Sequence, residues 1–214
     1  MSFFDNTRKP TGLGGKLMVV MMNIGHRALA DWGFRSVSVP ADAAVLDCGC
    51  GGGANIAKLL KKCPNGRVSG VDYSDISVKK SLDVNRKAVE EGSCGYSVRM
   101  RSSVSALPFD DARFDLATAF ETVYFWQDLH RCFGEVMRVL KEGGTFLICN
   151  ECGGDDPGDD RWTEKIDGMK IYDDARLSAV LGQVGFCDIR VHKNKNGWLC
   201  VTAQKPVSTS AGRR

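Results

Sequence analysis

The stretch Val45-Leu46-Asp47-Cys48-Gly49-Cys50-Gly51-Gly52-Gly53-Ala54-Asn55 decides how this chain folds. A short apolar run ends in an acid, crosses a glycine-rich turn and enters a segment that sets Ile56, Leu59, Leu60 and Cys63 on one helical stripe before Pro64 stops it. The pattern predicts a buried strand, a tight turn and a helix. Glycines take side chains away where backbone must come close to a ligand, and their freedom at positive φ permits a turn that aims backbone N–H groups at it.

Outward from this unit, strand-like and helical segments alternate, which predicts an α/β domain with a mostly parallel sheet and helices on both faces. Strands are expected at Ala44 to Asp47, Arg67 to Asp72, Ser97 to Ser102, Phe114 to Glu121, Thr145 to Glu151, Phe186 to His192 and Trp198 to Gln204, seven in all. Only Lys193 to Gly197 separates the last two. That is too short for a crossover helix, so they must be antiparallel neighbours. Helices are expected at Asn55 to Cys63, at Asp75 to Glu91 behind the N-cap Ser74, at Leu129 to Lys141, and at Asp173 to Val184 before Gly185. Cys152 to Asp160 reads as an acidic, glycine-rich loop. Gly15 to Trp32 is helix-like but precedes the first strand. The expected division is therefore an N-terminal helical lid or appendage over residues 1–41, a domain over 42–205, and a disordered tail over 206–214, which lacks apolar content.

Composition narrows the class. The chain has 214 residues, 43% hydrophobic and 26% charged, which suits one domain with a full-sized core. Its formal net charge of +3 is small and its basic residues are scattered among acids, so no nucleic acid partner is expected. Leu17 to Met22 is far too short to span a bilayer, and a membrane is not expected as a partner either. Nine cysteines is an odd count, and a chain of this size has no need of a disulfide framework, so the chain reads as cytoplasmic. Cys149-x-x-Cys152 and the pair Cys48 and Cys50 are each half of a metal site without the remaining ligands, and no metal is expected.

The glycine turn alone also satisfies the dinucleotide fingerprint, through Gly49-x-Gly51-x-x-Ala54. Asp72 sharpens it: at the end of the next strand, 19 residues past Gly53, it stands where a carboxylate can accept hydrogen bonds from ribose hydroxyls. Tyr73 beside it is placed to pack on a base. Asp47-x-Gly49-x-Gly51-x-Gly53, Val71-Asp72-Tyr73-Ser74, Leu107-Pro108-Phe109, Phe114-Asp115-Leu116 and Arg138-Val139-Leu140-Lys141-x-Gly143-Gly144 together resemble class I S-adenosylmethionine-dependent methyltransferases of the small, type 11-like kind. The resemblance runs in order over roughly residues 42 to 205. It implies a Rossmann-like sheet of seven strands with an antiparallel last strand, and S-adenosylmethionine as cofactor, released as S-adenosylhomocysteine. It also implies that Gly49, Gly51 and Gly53 form the cofactor loop, Asp47 lies near the methionine amino group, and Asp72 and Tyr73 hold the adenosine. Ser103, with Val104, stands at the adenine where many relatives carry an Asp. Glu142 replaces the proline common in the Gly-Gly turn.

On the acceptor side, strand carboxyl ends are where α/β sheets place ligands, so Phe120 and Glu121 are expected at the methionine end. Tyr124, Phe125 and Trp126 follow, able to wall an acceptor pocket or simply to pack in the core. Methyl transfer from a sulfonium is an in-line displacement that needs alignment and dryness above all, with a base only if the nucleophile must lose a proton. His26 is the candidate base or acceptor contact, and Met22 a candidate lining residue. The acceptor is expected to be a small molecule, of unspecified identity, and the oligomeric state is open. Two rival readings use the same loop. A nicotinamide-dependent oxidoreductase is disfavoured because none of the four tyrosines has a lysine four residues later. A module that binds the cofactor without catalysis stays open.

Overall fold

The computed structural model describes residues 25–96 and 103–208. Its sheet grows from β1 (Ala44–Cys48), whose residues from Val45 to Cys48 are all buried, with β2 (Arg67–Val71) on one side and β4 (Phe114–Phe120) on the other, both parallel to it. β3 (Cys94–Tyr96) extends the β2 edge and β5 (Leu140–Asn150) the β4 edge, again in parallel. β7 (Leu199–Gln204) then runs antiparallel between β5 and β6 (Cys187–Lys193), giving seven strands in the order β3-β2-β1-β4-β5-β7-β6. The expected α/β sheet and its antiparallel last strand are both present. Because side chains alternate across a strand, Val45 and Leu116 face one layer and Leu46 and Ala117 the other.

Each layer is closed by helices whose apolar stripe fits that face. On one side lie α1 (Arg27–Gly33), through Leu29 and Ala30, and α2 (Ala54–Lys62), through Ile56 and Leu59. After β2 come α3 (Asp75–Val84) and α4 (Arg86–Glu90), which flank that edge of the sheet. On the other side lie α5 (Leu129–Val139) and α7 (Asp174–Val184). Local chemistry sets their ends. Asp128 and Asp173 accept the backbone N–H groups of Arg131 and Arg176 at 3.0 and 2.7 Å, and Gly185 leaves α7 at φ 106°.

Two boundaries depart from the sequence reading, and one helix falls where that reading assigned no element. The helix expected over 75–91 breaks at Asn85, whose amide donates to Gly53 O and to Ser81 O, each at 3.0 Å, tying the helix to the glycine turn. α5 stops at Val139 because Leu140 is already extended, and Gly143 and Gly144 pair with Lys205 and so join the sheet. The short helix α6 (Asp160–Lys165) follows the acidic loop, in a stretch to which the sequence reading assigned no element. The strand expected over 97–102 lies outside the described residues; β3 ends at Tyr96. Among the described residues, no helix is long and apolar enough to cross a membrane.

The described part of the expected N-terminal appendage is not peripheral. Leu29, Ala30 and Phe34 are buried against Phe120, Leu147 and Cys149, so this segment completes one face of the sheet. A lid over residues 1–24 lies outside the described residues, as does Met22.

Candidate functional site

At the carboxyl end of β1 the chain turns through Gly49, Gly51 and Gly53 at φ 82°, 51° and 81°, a left-handed backbone that side chains rarely adopt. The turn is pinned to the next strand: the N–H groups of Gly49 and Cys50 donate to Val71 O at 2.8 and 3.0 Å, and that of Gly51 donates to Asp72 Oδ2 at 2.9 Å. Gly53 N–H bonds to Cys50 O. These four N–H groups are satisfied within the protein, so the turn does not aim them at a ligand as its composition led us to expect. It offers bare backbone instead. A Cβ at Gly51 would meet nothing within 4 Å, whereas one at Gly53 would collide with Ser81 and Asn85, so Gly53 is explained by helix packing.

Asp72 also accepts the Ser74 N–H at 2.8 Å. A carboxylate offers about four lone-pair directions, so it keeps acceptor capacity beyond the two bonds named here. Asp47 lies one strand away and is buried, with Oδ1 accepting the Thr118 hydroxyl at 2.7 Å. Its Oδ2 is buried without a hydrogen-bond partner. Burial, against the Thr118 bond and with the help of nearby Asp72, pushes its pKa up to about 7. Tyr73 is half-exposed beside Asp72, Ser103 is exposed and accepts from Ser105, and Val104 is buried next to it.

A second cluster gathers at the ends of β4 and β5. Glu121, at φ 57°, accepts the Glu151 N–H on Oε1, and the Tyr124 hydroxyl lies 3.1 Å from the same oxygen. Tyr124 in turn accepts the Cys152 N–H at 2.8 Å. His26 Nε2 stands 3.8 Å from Glu121 Oε2. Burial and the neighbouring Glu151 push the Glu121 carboxyl up to about 8, while burial lowers the His26 imidazole.

The structure thus brings Asp47, Gly49, Gly51, Gly53, Asp72 and Tyr73 to one end of the sheet, and His26, Phe120, Glu121 and Tyr124 to the adjoining strand ends. Two aromatic assignments shift. Trp126 stacks on Phe146 at 6.3 Å and 4° and is buried, and Tyr124 is buried with its hydroxyl engaged, so core packing accounts for both and neither forms an open π face. Sequence reading missed Glu151 and Asn150. Glu151 becomes visible only when parallel pairing sets the end of β5 beside that of β4, and Asn150 is fully buried with neither amide atom partnered. Cys48 and Cys50, at the glycine turn, are buried free thiols pushed well above their ordinary pKa, chiefly by burial.

A sheet in this order, with a glycine turn and acids at two adjacent strand ends, defines the class I methyltransferase fold. Residues 46–148 match the family model described as a methyltransferase domain, and the chain carries that domain; in sequence and fold it is similar to class I S-adenosylmethionine-dependent methyltransferases. Sterol methyltransferase-like 2 of Botryococcus braunii is 31% identical over 148 residues, 68% of this chain but 35% of that protein. The chain therefore spans about a third of that relative's length. Among solved structures, the proposed methyltransferase partner of the Haloferax volcanii Trm112 activator superposes with TM-score 0.75 at 21% identity, covering 89% of this chain and 94% of that one. Haemonchus contortus phosphoethanolamine N-methyltransferase 2, solved with phosphomonomethylethanolamine and S-adenosylhomocysteine, gives TM-score 0.76 at 16% identity, covering 97% and 61%. Identities this low speak to the fold alone.

Proposed function

We propose that the chain binds S-adenosylmethionine across the carboxyl ends of β1, β2 and β4 and transfers its methyl group to a small-molecule acceptor. The observation that carries this reading is the junction of turn and acids: Asp72 bonded to Gly51, with the unpartnered Oδ2 of Asp47 on the neighbouring strand. Leaving such an oxygen unpaired costs about 1–3 kcal/mol, which a ligand ammonium offsets. The bare backbone at Gly51 admits a ligand without collision. S-adenosylmethionine supplies an electrophilic methyl on a sulfonium; the protein has to bind, orient and keep water out. In this reading Asp47 holds the amino group, Asp72 the ribose, and Tyr73, Ser103 and Val104 the adenine, while Phe120 and Glu121 border the methionine end.

In the same reading His26 contacts the acceptor and Met22, which lies outside the described residues, lines its pocket, with Tyr124 and Trp126 supporting that wall from the core. The small-molecule class is supported by the relative named for sterols. The test is consumption of labelled methyl donor against a pool of sterols, isoprenoids, amino alcohols and thiols. Methylated product from at least one class is expected. No product from any class, with S-adenosylhomocysteine still bound, would instead establish a binding module without turnover.

A further inference from the structure

We propose that His26, Glu121 and Glu151 hold a divalent first-row transition-metal ion beside the carboxyl ends of β4 and β5. One imidazole nitrogen and one oxygen from each carboxylate lie within 4.8 Å of one another, and each residue comes from a different part of the chain. His26 precedes α1, Glu121 follows β4 and Glu151 follows β5. Ligands at about 2.1 Å from an ion stand up to about 4.2 Å apart, so small side-chain rotations close the set.

Two further features separate this trio from a chance surface cluster. Glu121 is anchored through one oxygen only: Oε1 takes the Glu151 N–H and lies by the Tyr124 hydroxyl, itself fixed by Cys152, which leaves Oε2 facing His26. Outer hydrogen bonds of this kind orient the ligating groups of metal sites. In addition, the two partly buried carboxylates sit together, and among the described residues no lysine or arginine pairs with either one. A cation is what such a pair lacks. One nitrogen and two oxygens suit Mn2+, Fe2+, Co2+ or Zn2+, and the absence of thiolate argues against Cu(I). Three protein ligands leave coordination positions open for an acceptor heteroatom. That last role rests on the methyltransferase reading; binding of the ion does not.

The probe is Mn2+ alone, because the nine cysteines would draw softer ions elsewhere. Full-length protein stripped by a chelator is titrated while the free Mn2+ signal is followed by electron paramagnetic resonance. One saturable ion per chain is expected, weakened about tenfold or more in Glu151→Gln. Spin-echo modulation from imidazole nitrogen is expected in the parent and absent in His26→Gln. No saturable site, an unchanged affinity in Glu151→Gln, or bound Mn2+ with no nitrogen modulation would each overturn the proposal. Glu151 is half-buried and outside any ion pair named above, so its replacement leaves the fold intact, which circular dichroism verifies. Calorimetry with S-adenosylhomocysteine on the same parent sample reports on the methyltransferase reading separately.

Discussion

Asp47 and Asp72 carry the same carboxylate in two settings, and the difference sets how binding responds to pH. In the fold Asp47 titrates near 7 instead of 3.8, so its protonated form is favoured there. Stability from this group is fully present below about pH 3.8 and is lost as pH rises through about 7; Asp47→Asn should flatten that slope in chemical denaturation measured across the window. Ligand binding runs the other way. An ammonium needs the carboxylate, so affinity for S-adenosylhomocysteine should rise between pH 6 and 8 in the parent and stay level in Asp47→Asn, as read by calorimetry at each pH. Asn150, buried with both amide atoms unpaired, predicts the reverse of the usual core mutation: Asn150→Leu should raise the denaturation midpoint, because it removes an unmet demand worth about 1–3 kcal/mol. Both acids were legible in the sequence because each closes a strand next to a glycine or a helix cap. Glu151 and Asn150 were not, since nothing local marks a residue whose meaning depends on sheet register.

Between residue and fold, the glycine turn separates two kinds of necessity. Gly51 is required by its backbone angle and faces open space, so Gly51→Ala should cost about 1–2 kcal/mol of stability yet weaken cofactor binding far beyond that. Gly53 packs against α3. Gly53→Ala should add overpacking of about 1–3 kcal/mol to the same backbone strain, with the loss seen chiefly in thermal unfolding. A comparable element-scale device is Arg138 on α5, whose guanidinium reaches Leu107 O at 3.0 Å, Phe109 O at 2.7 Å, Glu135 and Asp111. It fastens the Leu107-Pro108-Phe109 turn, and Arg138→Ala should lower stability by about 1–3 kcal/mol while leaving the sheet intact by circular dichroism. Helix ends marked by Asp128, Asp173 and Gly185 were readable from capping chemistry. The break at Asn85 and the early start of β5 were not, because both answer to partners distant in sequence, Gly53 and Lys205.

For the molecule as a whole, periodicity and the short last connection foretold the parallel sheet and its antiparallel strand, since both follow from chain length between elements. What they could not foretell is that α1 belongs to the core. Its Leu29 and Ala30 are buried against the sheet, which sets His26, one residue before α1, beside the ends of β4 and β5. The central claim is that the turn and Asp72 together hold an adenosine bearing a sulfur-linked amino acid. Isothermal titration calorimetry of S-adenosylhomocysteine, with NAD as comparator, tests it most directly. The account predicts a saturable one-site heat with S-adenosylhomocysteine and none with NAD, weakened about tenfold, or 1.4 kcal/mol, in Asp72→Asn. Heat with NAD alone, or equal affinity in parent and Asp72→Asn, would contradict it.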